Sequence, residues 1–516
     1  MAELDTLSYW LRSASIPEYP ALGRDLAVDA AVIGGGITGI TAAYLLKASG
    51  LSVALVERDR LARVDTGNTT AHLTMVTDLQ LNELVSNFGK DAARAVWDAG
   101  RLAIDQIESH IDVEGIECDF KRVPGFLHEA IEGEGATRDE LKEVADLARE
   151  LGFEASFVDS VPHFKLAGVR FGEQALFHPR KYLAGLARTI PGNGSHIFAN
   201  TSADEITDDP LAIKCGEFTI TCDYVVIATH TPLMGKTDIV SATVLQSKLA
   251  LYTSYAVGGL VPTETLPHGL YWDTTDPYHY VRVEPRRNQS ADYVIFGGED
   301  HKTGQVDDTR RCYDALEKKA RKLLPSLQVT DRWSGQVIET NDGLPYIGET
   351  SDRQFAATGY AGNGMTFGTL AAMMARDAAV GRVNPWKDLF SVDRTKLFGG
   401  TWDYVNENKD YLYYLVRDRF AATQGASVRV LKRGEGKILN VNGQRAAAYR
   451  DQRGTVIMRS AICTHMGCEV RWNKAEATWD CPCHGSRFKT DGSVLAGPAE
   501  SPLPELNVET KETEKV

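Results

Sequence analysis

Residues 29–57 read DAAVIGGGITGITAAYLLKASGLSVALVE, and this stretch decides the fold of the larger part of the chain. Asp29 to Ile33 is a short apolar run that leads into Gly34, Gly35, Gly36, Ile37, Thr38 and Gly39. A helical pattern follows through Ile40, Tyr44, Leu45 and Ala48 until Gly50, and Leu51 to Val56 then forms a second buried strand that closes on Glu57. Strand, tight turn, helix and strand in that order make one βαβ unit. In the G-x-G-x-x-G spacing, Gly34 permits the turn, Gly36 lets the backbone approach a pyrophosphate, and Gly39 lets the helix pack closely on the strand. Phosphates would then sit at the helix N-terminus, where unpaired N–H groups and the helix dipole favour an anion. Glu57, 18 positions beyond Gly39, is placed to accept hydrogen bonds from ribose hydroxyls, and its charge disfavours a 2′-phosphate. The unit predicts a dinucleotide and leaves FAD and NAD both open; a glycine turn of this kind also forms without a ligand.

The remainder of the 516 residues suits one large nucleotide-binding unit plus a smaller module. With 43% apolar and 24% charged residues the chain has the balance of a folded protein with real cores. A net charge of −14 works against nonspecific binding to nucleic acid or anionic membrane, which carry the same sign. No apolar run approaches the length of a membrane span, and MAELDTLSYWLRS lacks the basic and apolar regions of a signal peptide, so a cytoplasmic protein is expected. Of eight cysteines, Cys118, Cys215, Cys222 and Cys312 are scattered and read as small buried hydrophobes. The other four fall between Cys463 and Cys483, a clustering that points to a metal site.

Further along, Asp223 to Thr229 (DYVVIAT) is another buried strand, while Leu245 to Val257 and Gly269 to Gly298 carry strand-like runs broken by Gly, Pro and Asn. These runs predict an antiparallel sheet inserted into the α/β scaffold. The expected nucleotide-binding part takes roughly residues 25–80, 150–235 and 335–420, and the substrate-facing part roughly 81–149 and 236–334. Thr309 to Leu324 reads as an amphipathic helix and Trp402 to Phe420 as an aromatic-rich helical stretch. Residues 421–427 have the composition of a linker, and residues 428–516, rich in short strands and glycine turns, read as a small all-β module.

WSGQVIETNDGLPYIGE (Trp333 to Glu349), ATGYAGNGMTFGTLAA (Ala357 to Ala372) and the N-terminal unit with its GNTTAHLT continuation resemble the D-amino-acid oxidase, glycine oxidase and sarcosine oxidase superfamily. The resemblance covers about the first 420 residues, with its strong motifs at the two ends of that span. It implies FAD, held by Gly34, Gly36, Ile37, Thr38, Gly39, Glu57, Arg58, Thr69 and Thr70. It also implies a late loop of Gly359, Gly362, Asn363, Gly364, Met365 and Thr366 that starts a helix facing the isoalloxazine and stabilising its anionic reduced form. A close helix–sheet contact without a ligand is the competing reading of that loop. His230 stands where many flavoproteins carry Gly. His72 lies one position from where some relatives bond flavin covalently, and is expected to make an ordinary polar contact. No second G-x-G-x-x-G follows a strand, which disfavours a reductase driven by NAD(P)H. Arg282, in HYVRVEP, is a candidate for clamping a substrate carboxylate, and Lys248 and Tyr252 are candidates for groups near the flavin; residues of these kinds are more often solvated or structural.

CTHMGC (Cys463 to Cys468) and CPCHGS (Cys481 to Ser486) resemble the Rieske signature. The resemblance implies a 2Fe-2S cluster with Cys463 and Cys481 on one iron and His465 and His484 on the other, a disulfide between Cys468 and Cys483, and a covering proline loop in LAGPAESPL (Leu495 to Leu503). Gly467 and Gly485 allow the ligand loops to turn. Two imidazoles in place of two thiolates leave the oxidised cluster neutral, so it accepts an electron more readily than a four-thiolate cluster does. Ser486 resembles the serine that bonds a bridging sulfide. Phe488 occupies the position where high-potential members carry Tyr, so a potential below theirs is expected. Structural zinc is the alternative for such ligands. A Rieske oxygenase is disfavoured, because it needs a further mononuclear iron site and no His follows His484.

The expected fold is therefore an α/β FAD-binding Rossmann-type domain with an inserted antiparallel-sheet substrate domain, followed by a C-terminal all-β Rieske domain. The expected activity is oxidation of a C–N bond in an amine or amino acid, with electrons passing from flavin to cluster to an external one-electron acceptor. Two other readings are a plain oxidase whose Rieske domain is structural or docks a partner, and an electron-transfer adaptor without an organic substrate.

Overall fold

The computed structural model describes residues 7–232, 248–286, 290–394 and 427–506. The stretch Trp402 to Phe420 and the expected linker, apart from Ser427, lie outside the described residues. The chain divides into a larger unit (1–249, 254–300 and 315–400) and a smaller one (250–253, 301–314 and 401–516).

In the larger unit, Ala30–Ile33 and Val53–Val56 are fully buried and pair in parallel, Ala30 against Val53 through Ile33 against Val56. Covered on both faces, they read as unbroken apolar runs rather than alternating ones. They form the centre of a six-stranded sheet in the order Tyr346–Ser351, Gln354–Thr358, Tyr224–Ile227, Ala30–Ile33, Val53–Val56, His196–Phe198. Its pairings are parallel except that between Tyr346–Ser351 and Gln354–Thr358. Helix Ile37–Ala48 crosses between the two central strands, and helix Gly364–Ala379 packs on it and on helix Lys90–Glu114.

The second layer is an eight-stranded sheet: Gln328–Thr340, Leu249–Pro262, Ala291–Lys302, Tyr280–Glu284, Leu270–Asp273, Lys121–His128, Gly168–Leu176, Ala155–Val158. It corrects the expected division of the chain. Residues 155–176, assigned by sequence to the nucleotide-binding part, belong here, because Gly168–Leu176 pairs antiparallel with Lys121–His128 along nearly its whole length. Conversely Lys90–Glu114, assigned to the substrate part, packs on the nucleotide-binding helices through its buried face of Ala93, Val96, Ala103 and Ile107. Chain order alone did not reveal which layer each segment joins. A four-stranded sheet of Leu26–Ala27, Phe218–Thr221, Leu211–Cys215 and Glu205–Asp208 completes the unit.

The smaller unit is all-β in its C-terminal part. One three-stranded antiparallel sheet comprises Glu435–Val441, Gln444–Arg450 and Val456–Ser460; a four-stranded one comprises Arg471–Asn473, Thr478–Asp480, Arg487–Phe488 and Val494–Ala496. Among the described residues no helix is long and apolar enough to cross a membrane.

Candidate functional site

The glycines of the N-terminal turn make a cradle that side chains cannot share. A Cβ on Gly39 would lie 1.8 Å from the Gly34 carbonyl oxygen, and one on Gly34, at φ +106°, would lie 2.7 Å from the Ala228 oxygen. The helix beginning at Ile37 has no side-chain cap of its own. Thr66, which sequence reading missed, supplies one from a distance: its Oγ1 accepts from Ile37 N at 3.1 Å. Glu57 Oε2 accepts from Gly35 N at 2.7 Å and Oε1 from Asp59 N at 2.9 Å, so the carboxylate is fixed beside the turn and retains acceptor capacity for a ribose. Thr69 Oγ1 accepts from Ala71 N, and Thr70 O accepts from Arg282. Arg58 follows Glu57 at the end of its strand and is partnered.

The late loop closes on the same helix. Thr38 Oγ1 and Tyr360 OH are 3.0 Å apart, and a Cβ on Gly368 would meet Ile37 Cγ2 at 2.8 Å. Gly359 and Gly362 both have positive φ, +76° and +73°, where a side chain is strained. Helix Gly364–Ala379 begins directly after buried Asn363, whose Nδ2 donates to Val76 O at 2.9 Å and whose Oδ1 accepts from Asp78 N at 3.3 Å. Met365 and Thr366 are buried in its first turn, with Thr366 donating back to Asn363 O. His230 pairs with Asp65 at 3.0 Å, and Thr358 donates to the His230 carbonyl.

The structure contradicts the expected clamp. Arg282 is fully buried, donates to Glu284 Oε2 (2.5 Å), Phe177 O (2.5 Å) and Ala71 O, and lies 4.9 Å over the Trp10 ring. Its donors are spent inside the protein, so it does not reach for a substrate. Lys248 Nζ rests 5.2 Å over the Tyr346 ring, and burial lowers its pKa. Tyr252, half-buried and partnered, belongs to the segment 250–253 that groups with the smaller unit.

Near the Asn363 turn, a polar group escaped sequence reading. Tyr278 OH donates to Asp78 Oδ1 at 3.1 Å; Tyr280 OH and Ser254 Oγ are 2.8 Å apart, and Ser254 also bonds Asp300. The His72 ring stands edge-on to Tyr280 at 5.3 Å, and burial pushes its pKa down to about 3, keeping it neutral. The signal was present in the pattern YHY at 278–280 and in His72 of the GNTTAHLT continuation (67–74), which Asp78 follows four residues later.

In the smaller unit, two loops have the same internal bonding. Cys463 N donates to Cys468 O and Gly467 N to Cys463 O; Cys481 N donates to Ser486 O and Gly485 N to Cys481 O. Gly467 and Gly485 take φ of 78° and 72° at equivalent places. A disulfide joins Cys468 to Cys483 with their Cα atoms 6.5 Å apart. The loops bring their remaining ligand types together by kind. Cys463 and Cys481 are in hydrogen-bond contact, which lowers the pKa of the first and raises that of the second. His465 and His484 stand edge to face at 4.9 Å, and burial pushes both pKa values down to about 4, the neutral form that binds metal. Cys468, Cys481 and Cys483 have sulfurs within 4.8 Å of one another, but two of these are spent in the bridge. Ser486 Oγ accepts from Ala499 N at 3.1 Å, and a Cβ on Gly497 would meet the Gly485 oxygen at 2.7 Å, so the proline segment lies against the second loop. Two cysteines and two neutral histidines, paired by kind, are a donor set that fits a 2Fe-2S cluster of the Rieske type.

The sequence matches the FAD dependent oxidoreductase family over residues 29–378 and the Rieske [2Fe-2S] domain over residues 423–507. It is 32% identical over 510 residues to YhfW of Bacillus subtilis, named as a Rieske 2Fe-2S iron-sulfur protein, covering 97% of this chain and 98% of that one. It is 22% identical over 434 residues to gamma-glutamylputrescine oxidoreductase of Escherichia coli, covering 80% of this chain and 98% of the relative. The crystal structure of glycine oxidase from Geobacillus kaustophilus superposes with a TM-score of 0.58 at 19% identity, over 72% of this chain and all of that one, which shows a shared fold.

Proposed function

Because the chain belongs to the FAD-dependent oxidoreductase family and carries a Rieske [2Fe-2S] domain, we propose that it oxidises a C–N bond of a small amine or amino acid in the cytoplasm and delivers the electrons through the cluster to an external one-electron acceptor. The observation that carries this reading is the presence, in one polypeptide, of a glycine cradle at a helix N-terminus and of two loops that pair Cys463 with Cys481 and His465 with His484. The named activities of glycine oxidase and gamma-glutamylputrescine oxidoreductase support C–N chemistry.

In this reading the helix beginning at Ile37 would offer its N-terminal N–H groups to the FAD pyrophosphate, Glu57 would take the ribose, and the turn at Gly362 and Asn363 would serve the isoalloxazine. Cys463 and Cys481 would hold one iron and His465 and His484 the other, while the Cys468–Cys483 bridge ties the two loops together. FAD supplies a two-electron acceptor and the cluster a one-electron relay. The absence of a second G-x-G-x-x-G after a strand supports reduction by an organic substrate over reduction by NAD(P)H.

An anaerobic titration tests the proposal. An amine or amino acid that is a true substrate will deliver more electrons per chain than the flavin alone can hold, with the surplus on iron. A protein whose flavin no amine or amino acid can reduce, but which a redox partner reduces, would be an adaptor instead.

A further inference from the structure

Some buried and half-buried carboxylates in the larger unit are matched by guanidinium groups, while others, such as Asp273 with Thr275 and His279, are not. Glu284 has Arg282, Asp331 has Arg12, and Asp342 has Arg394. Exposed Asp78 and half-buried Asp300 likewise have no arginine or lysine partner among the described residues. Yet each acts on the other's surroundings, since Asp300 raises the pKa of Asp78 and both raise that of Tyr278. Asp300 Oδ1 and His72 Nε2 are enclosed by protein and meet no hydrogen-bond partner among the described residues. Polar atoms removed from water without a partner are costly, and each calls for an explanation such as an ordered water or a ligand.

The place is specific. A Cβ on Gly362 would lie 2.3 Å from Asp78 Oδ2, so Asp78 touches the glycine turn that the flavin reading sets beside the isoalloxazine. Asp78 is exposed to solvent beside this turn. Tyr278 donates to Asp78, and the Tyr280 ring lies 5.7 Å from that of Tyr278. The cations near Asp300 have closer partners: His279 lies between Asp273 and Glu299, acting on Asp300 by its charge, and Lys319 is on Glu299. The one buried arginine of the neighbouring strand, Arg282, is tied to Glu284 and to carbonyls.

We infer that Asp78 and Asp300, with Tyr278 and Tyr280, hold the cationic nitrogen of the substrate, so that it is an alkylamine or polyamine carrying no anchoring carboxylate rather than an α-amino acid. The inference rests on the proposed C–N oxidation at this flavin site. Desolvation raises the pKa of Asp78 to about 7 and of Asp300 to about 6, and a bound ammonium opposes that rise; the ionised pair then attracts the ammonium and repels an amino acid's carboxylate, and the aromatic faces add cation–π attraction.

The test uses flavin-loaded full-length protein and two ligands of one shape that cannot be oxidised because they lack an α-hydrogen, tert-butylammonium and pivalate. Binding is read by calorimetry and by the perturbed flavin spectrum. The expected result is binding of tert-butylammonium and not of pivalate, weakened about tenfold or more by Asp300→Asn and by Asp78→Asn, with flavin content unchanged in both. Pivalate binding in preference, or binding of neither, overturns the inference. Bleaching of the flavin by amino acids but not by butylamine or putrescine overturns it while leaving C–N oxidation intact. Failure of every amine and amino acid to bleach the flavin overturns the proposed function itself.

Discussion

Arg282 and Glu284 lie two positions apart on one strand and face the same way, with guanidinium NH2 to carboxylate Oε2 at 2.5 Å and both side chains buried. A buried pair of this kind stabilises less by its attraction than it destabilises when one partner is lost. Glu284→Gln is expected to lower stability by about 3–5 kcal/mol, because Arg282 would remain charged in the core. Denaturant unfolding measures it; an unchanged midpoint would mean that Arg282 is solvated or otherwise paired.

Gly39→Ala is expected to abolish flavin loading. Its Cβ would sit 1.8 Å from the Gly34 oxygen, so the helix must move away from the turn proposed to receive the pyrophosphate. The ratio of flavin absorbance to protein absorbance should fall to background while the iron content stays at the wild-type level. Full flavin occupancy in this variant would place the dinucleotide elsewhere.

Phe488 is fully buried one residue beyond Arg487, in the strand that leaves the second cluster loop. Phe488→Tyr should raise the cluster's reduction potential, by the equivalent of about 1 kcal/mol for one restored hydrogen bond to a ligand sulfur. A redox titration followed by electron paramagnetic resonance reads the shift. A fall in potential contradicts the assignment.

His110 is buried with Nδ1 2.8 Å from Tyr182 OH and Nε2 2.8 Å from Gln106. Burial, with Arg376 nearby, pushes its pKa down from 6.5 to about 4. The unfolded chain therefore binds more protons than the folded one between about pH 6.5 and about pH 4, and stability falls as pH falls through that window. His178, pushed down to about 3 by burial and then by Lys181 and Arg282, extends the loss further. His110→Gln should remove an acid-side loss of up to about 3 kcal/mol, seen as a flatter melting temperature against pH.

The nucleotide cradle and the cluster loops were legible in sequence because each depends on local spacing. Gly34, Gly36 and Gly39 act within one turn, and Cys463 with His465, like Cys481 with His484, act within one loop. The disulfide followed from resemblance in the same way. What could not be read depends on long-range packing. Thr66 caps a helix 29 residues earlier in the chain, and Asp78 meets Asn363 across 285 positions. Arg282 looked like a free clamp because sequence shows its charge and not the carbonyls of Ala71 and Phe177 that consume its donors. The layer assignment of residues 155–176 failed for the same reason, since strand partners are chosen in space.

The central claim is that two redox centres on this chain work in series. Rapid anaerobic mixing of the flavin- and iron-loaded protein with a reducing amine, followed at flavin and cluster wavelengths, tests it most directly. The account predicts flavin bleaching first and cluster reduction after it, at a rate independent of protein concentration. A cluster that stays oxidised while the flavin is fully reduced would contradict it.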